Sequence, residues 1–120
     1  QNISEVTINV KGNKRDSTLE EQIAKIGDKI NDMCSDIIDA FVEFDVAKAK
    51  ATAQRDTEID EQYHDLRMSA IKLMKEDSDS VLAAADYSFV GMHLERIGDY
   101  ITNIAEWIVY LDTGEIVDLD

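Results

Sequence analysis

The sequence predicts an all-α protein, an antiparallel three-helix bundle, on three observations. Proline is absent and glycine occurs only five times, at 12, 27, 91, 98 and 114, so the chain lacks the turn chemistry that strands and hairpins need. Apolar residues recur at helical spacing over long stretches instead of alternating. Polar interruptions fall in two places, at Asp45 and across Glu76-Asp77-Ser78-Asp79-Ser80. Three helices joined by such short turns must run up-down-up.

The first helix opens at Ser17-Thr18-Leu19-Glu20, which reads as a capping box with Ser17 as cap and Glu20 reaching back. Leu19, Ile23, Ile26, Ile30, Met33, Ile37, Phe41 and Phe44 then recur three or four residues apart and form one apolar seam over 18–44. Asp45 is placed to stop that helix and cap the second, expected over 46–76. The second helix begins with Ala47, Ala49, Ala51 and Ala53, then packs Ile59, Tyr63, Leu66, Ala70 and Leu73. The third, over 79–111, carries an apolar stripe of Ile97, Ile101, Ile104, Ile108 and Leu111 and ends near Gly114 as a C-cap.

Composition narrows the class. At 120 residues and 44% hydrophobic content the chain supports one domain with one core, and no apolar run approaches the ~20 residues of a membrane span. No signal peptide is expected, since Gln1-Asn2-Ile3-Ser4-Glu5 has neither a basic nor an apolar region. The lone Cys34 fits a reducing compartment, so the expected location is cytoplasmic. The net charge of -14, from 26 acids against 12 bases, repels phosphodiester backbones and argues against nucleic-acid binding. Partners should be cationic, either metal ions or a basic protein surface.

An internal echo bears on domain organisation. Asn2-Ile3-Ser4-Glu5, followed by Ile8, Val10 and Gly12, copies Asn103-Ile104-Ala105-Glu106, followed by Ile108, Tyr110 and Gly114. Residues 1–16 are therefore expected to be the tail of a preceding repeat plus a linker, and residues 17–120 the three-helix domain. The leading residues should be disordered or docked on a neighbouring copy, in a homo-oligomer.

The chemistry-bearing residues are carboxylates. On the third helix Glu95, Asp99, Asn103 and Glu106 lie within about 80° of one another, on a stripe about 170° from the isoleucines. On the second, Asp56 and Asp60 stand one turn apart, and an antiparallel arrangement brings them level with Glu95 and Asp99. Four carboxylates at one level repel unless a multivalent cation or an arginine (Arg55, Arg67 or Arg96) neutralises them. Glu61-Gln62-Tyr63-His64 has the Glu-x-x-His form of a carboxylate-bridged di-iron enzyme, but Val90 stands where a second motif before His93 would need glutamate. His64 thus reads as a surface histidine and Cys34 as a core filler, while Tyr100, Trp107 and Tyr110 serve packing or an interface. No phosphate loop, zinc spacing or nucleophile-base-acid set is present, so no catalytic residue is assigned and the chain is expected not to be an enzyme.

The run Leu94-Glu95-Arg96-Ile97-Gly98-Asp99-Tyr100-Ile101-Thr102-Asn103-Ile104-Ala105-Glu106 resembles the signature of the PhoU family of phosphate-uptake regulators. The close Val109-Tyr110-Leu111-Asp112-Thr113-Gly114-Glu115-Ile116 is similar to that family's C-terminal ending, and Asp56-x-x-Ile59-Asp60 resembles its second-helix motif. The likeness spans 19–120 as one repeat and 2–12 as the end of another. It implies a cytoplasmic protein of two three-helix repeats that represses the phosphate regulon and restrains high-affinity phosphate uptake. It implies a phosphate-sensing histidine kinase and the transporter ATPase as partners. It implies metal clusters, of iron or zinc, on Asp56, Asp60, Glu95 and Asp99, with Asn103 and Glu106 as additional ligands. Tyr100 departs from the family, which usually has histidine there. An alternative within the same resemblance is the cytosolic regulatory domain of a sodium–phosphate transporter.

Overall fold

The computed structural model describes residues 15–114 and 118–119. The order is α1 (Ser17–Glu43), α2 (Val46–Gln54), α3 (Asp56–Glu76), a 3-10 turn (Ser78–Ser80) and α4 (Val81–Thr113). No strand occurs among the described residues. Since α2 and α3 follow one another as a bent rod, the molecule is the expected three-rod bundle, with α1 and α4 parallel and the bent rod antiparallel to both. The register is visible in Gln22 Nε2 of α1 donating to Ser69 Oγ of α3 at 3.0 Å, and in Gly98 of α4 seated between Ile30 and Ile59. The 33 residues of α4, about 50 Å of helix, set the 53 Å long axis. The leading repeat tail expected over 1–12 lies outside the described residues; of 1–16 only Arg15 and Asp16 are described, and both serve the start of α1.

The start of α1 differs from expectation. Asp16, not Ser17, is the cap: its backbone is extended and its carboxylate accepts the Leu19 N–H at 2.9 Å. The Glu20 carboxylate accepts from Arg15, just before the cap, and from the Tyr87 hydroxyl at 2.7 Å. The seam also shifts. Leu19 through Ile37 are buried as expected, but Ala40 continues the buried row while Phe41 and Phe44 are 58% and 48% exposed. Continuing the buried row through Ala40 turns Phe41 outward. Phe44 then reverses the chain in the left-handed region (φ 53°), with Asp45 N–H on Ala40 O at 2.8 Å.

Asp45 caps α2 as expected, accepting the Lys48 N–H at 3.0 Å. The single helix expected over 46–76 is interrupted at Arg55, where the bonds tighten to three-residue steps, Arg55 N–H to Thr52 O and Glu58 N–H to Arg55 O, both 3.1 Å. Two side chains account for the bend. The buried Thr52 returns its hydroxyl to Lys48 O at 2.8 Å, which bends helices, and the Arg55 guanidinium is tied to Asp36 on α1. The turn after α3 is closed by Asp77, which accepts from Asp79 N–H and Ser80 Oγ, so α4 begins at Val81 and not at 79.

Gly114 ends α4 at φ 74°, as expected of a C-cap. Of the five apolar positions predicted on α4, Ile101 and Ile108 are buried and Ile97 half-buried, whereas Ile104 and Leu111 are exposed. The buried row instead follows Leu94, Gly98, Ile101, Thr102, Ala105, Ile108 and Val109. Small residues in that row let α4 sit between two neighbours, which widens its buried face and tilts it away from Ile104. Cys34 is half-buried beside the core, and burial pushes its thiol above the ordinary value, the state of a packing residue.

Candidate metal centre

The bend at Arg55 makes Asp56 the first residue of α3, so its carboxylate stands at the positive end of a helix. Asp60 follows one turn on, and antiparallel α4 lays Glu95 and Asp99 alongside. Carboxylate oxygens from Asp56, Asp60 and Asp99 lie within 4.8 Å of one another. Asp56 is only 6% exposed, while Asp60 and Asp99 face outward. The four acids line an opening of about 620 Å³ with Thr57, Tyr63, His64 and Arg67.

Glycine makes this convergence possible. A Cβ built at Gly98 would stand 2.6 Å from Asp56 Oδ1, so the buried carboxylate occupies the hollow that only glycine leaves on α4. Gly91, two turns earlier, plays the same part for packing, where a Cβ would meet Leu66 Cδ2 at 2.3 Å. A hollow filled by a carboxylate, with two more carboxylates within reach, is a hard-oxygen donor set that suits a multivalent cation.

Electrostatics follow the geometry. Burial raises the Glu95 carboxyl above its ordinary value, and the charge and hydrogen bond of Asp99 and the charge of Asp60 raise it further, against a smaller opposing effect of Arg96. Arg55 is tied to Asp36 and Thr52, whereas Arg67 stays at the opening, over the Tyr63 ring and 5.9 Å from its centroid.

Of the six ligands that the resemblance implies, the fold brings together Asp56, Asp60, Glu95 and Asp99. Asn103 and Glu106 lie farther along α4. Asn103 is exposed, and the Glu106 carboxylate accepts the Leu119 N–H at 3.0 Å. Two residues at the opening lie outside the expected ligand set. His64 is exposed, as expected of a surface histidine, and also lines the opening; its signal is the four-residue step Asp56, Asp60, His64. Gly98, a helix-interior glycine set between two acids, carried the other signal.

Comparison with known proteins places these features. The Streptococcus pneumoniae (TIGR4 strain) phosphate-specific transport system accessory protein PhoU homolog is 42% identical over 101 residues, 84% of this chain and 47% of that protein. The Clostridium acetobutylicum homolog of the same description is 37% identical over 100 residues, 83% of this chain and 46% of that protein. The crystal structure of the phosphate transport system regulatory protein PhoU from Streptococcus pneumoniae superposes with a TM-score of 0.83 at 39% identity, covering 91% of this chain and 51% of that one. The chain thus spans about half the length of the relatives it matches. Among the described residues no helix is long and apolar enough to cross a membrane. The family model for the PhoU domain matches residues 23–108, which takes in α2, α3 and the four converging acids, and the chain belongs to that family.

Proposed function

We propose that this chain is a non-enzymatic regulatory unit of phosphate transport that acts by binding and holds a multivalent cation in its acid pocket. The observation that carries the transport reading is the PhoU-domain match over 23–108, together with relatives named phosphate-specific transport system accessory proteins. On this reading the unit works in the cytoplasm as a negative regulator of high-affinity uptake and of phosphate-regulon signalling. Its partners are a phosphate-sensing histidine kinase and the transporter ATPase. In a strain lacking the complete gene, phosphate-starvation genes should be expressed when phosphate is plentiful. Continued repression would overturn the assignment.

The metal reading is supported by the donor set: Asp56 in the Gly98 hollow, Asp60 and Asp99 within reach, and Glu95 beside them. Iron or zinc is the proposed ion, because carboxylates with His64 at the rim offer oxygen and nitrogen donors together. A bound cation would supply positive charge where the four carboxylates repel and would tie α3 to α4. Calorimetric titration with ferric, zinc or manganese ions should give saturable binding that is lost in Asp60→Ala/Asp99→Ala. Equal weak binding by both proteins would remove the site.

A further inference from the structure

The acid pocket is one end of a longer groove. Tyr63 and Arg67 form its far wall and also the near wall of a second depression, of about 290 Å³, floored by Ala85 and Ser88 and flanked by Ile71, Met74, Phe89 and Met92. Along α3 a row of Asp56, Asp60, Tyr63, Arg67, Ile71 and Met74, spaced by three or four, runs through both depressions, with Thr57 and His64 beside it at the acid end. They span about 27 Å, the length of an 18-residue helix. A stripe of that period is the edge that a further antiparallel helix would pack against. Ala85 and Ser88 are short enough to let a backbone approach, and Phe89 (58% exposed) and Ile71 (38% exposed) stand as apolar walls with nothing over them among the described residues.

We propose that the α3–α4 groove, when its acid end holds no cation, docks an amphipathic helix of a partner protein, basic where it meets Asp56, Asp60, Glu95 and Asp99 and apolar where it meets Ile71, Phe89 and Met92. This deepens the reading of the chain as a regulator that acts by binding, and rests on it. Charge complementarity selects the occupant. A second copy would bring another -14 against the acid end, and anionic membranes or nucleic acids are repelled by the same field. A basic amphipathic helix satisfies both ends, with apolar anchors at helical spacing in a methionine- and phenylalanine-lined channel. Arg67, at the waist between the two ends, favours an acidic residue in the middle of the docked helix.

The probe is a fluorescent Leu/Lys helix of about 18 residues with its lysines gathered at one end, beside a peptide of the same composition with the lysines scattered. Binding is read by anisotropy on the whole chain in the presence of a chelator. The gathered peptide should bind at least about tenfold more tightly than the scattered one, and Phe89→Glu/Met92→Glu should weaken it about tenfold or more. Asp60→Asn/Asp99→Asn should flatten the salt dependence while leaving the apolar contact. Ile38→Glu/Trp107→Glu, an exposed apolar pair on the α1–α4 face, should change nothing. Equal binding of the two peptides, or loss through Ile38 and Trp107 in place of Phe89 and Met92, overturns the proposal. A change of sedimentation without a change in peptide binding on Phe89→Glu overturns it too, in favour of a second copy as occupant. No transport component enters the assay, so its failure is separate from failure of the phosphate reading, which the deletion strain tests.

Discussion

Two carboxylate sites lie roughly 15 Å apart along α4, and they are opposites. At the first, Glu20 accepts two N–H bonds from Arg15 at 2.8 Å and the Tyr87 hydroxyl at 2.7 Å, while the Tyr87 oxygen accepts the Asp16 N–H at 3.0 Å. Those bonds, Arg15 first and Tyr87 second, hold Glu20 below the usual carboxylate range. At the second, Glu95 is raised by burial and by the nearby Asp99 and Asp60. Glu20 has its counter-charge built into the fold, so it is a structural clamp joining the start of α1 to α4. The Asp56–Asp99 pocket gathers carboxylates that push the Glu95 carboxyl up, a repulsion that a bound cation or a basic partner would relieve.

The largest test of this contrast is cation addition. If the pocket binds metal, a concentration one hundred times Kd should stabilise the protein by about 2.7 kcal/mol, seen as a rise in Tm. Asp60→Ala/Asp99→Ala should abolish the rise. Glu20→Gln should lower the starting Tm yet keep the increment, because the two sites share no partner. A metal increment lost in Glu20→Gln would mean that they are coupled after all.

Next in size is Tyr87→Phe. Tyr87 is fully buried, and its hydroxyl serves both the Asp16 N–H and Glu20. Removal leaves a half-buried donor and part of a carboxylate unserved, at a cost of about 1–3 kcal/mol in urea unfolding. Metal affinity should not change. A cost no larger than that of an exposed tyrosine such as Tyr100 would show that the clamp is incidental.

What could be read in advance follows the same division between local and tertiary causes. Asp45 and Gly114 were legible as caps because a cap depends on a few adjacent residues. Asp56, Asp60, Glu95 and Asp99 were legible because one-turn spacing on antiparallel helices fixes a common level. The break at Arg55 was not, since it depends on Thr52 bending the helix and on Asp36, nineteen residues away on α1, holding the guanidinium. Asn103 and Glu106 share the angular face of Asp99 but lie about 6 and 10 Å farther along the axis. That carries them past the start of α3 at Asp56, so the angle was right and the axial rise decided. Phe41 and Ile104 were drawn into seams by period alone, although burial at those ends falls on Ala40 and Ala105.

The smallest effect gives the sharpest form of the comparison, because the two sites should respond to pH with opposite signs. Glu20 has its folded pKa below the ordinary 4.5, so its contribution is present above 4.5 and is lost as pH falls through the lowered value. Glu95 has its folded pKa above 4.5, so its ionisation disfavours the fold, a penalty absent below 4.5 that grows as pH rises through the raised value. In metal-free protein at pH 7, Glu20→Gln should therefore destabilise and Glu95→Gln stabilise, each by up to about 1 kcal/mol, since both groups are partly screened by solvent. On acidification both differences should vanish, that of Glu95→Gln on the alkaline side of 4.5 and that of Glu20→Gln on the acid side. Urea unfolding of the three proteins between about pH 3 and pH 8 reads both windows. Should Glu95→Gln destabilise the metal-free protein at pH 7, the pocket's charges are already balanced within the chain, and the contrast with the Glu20 clamp disappears.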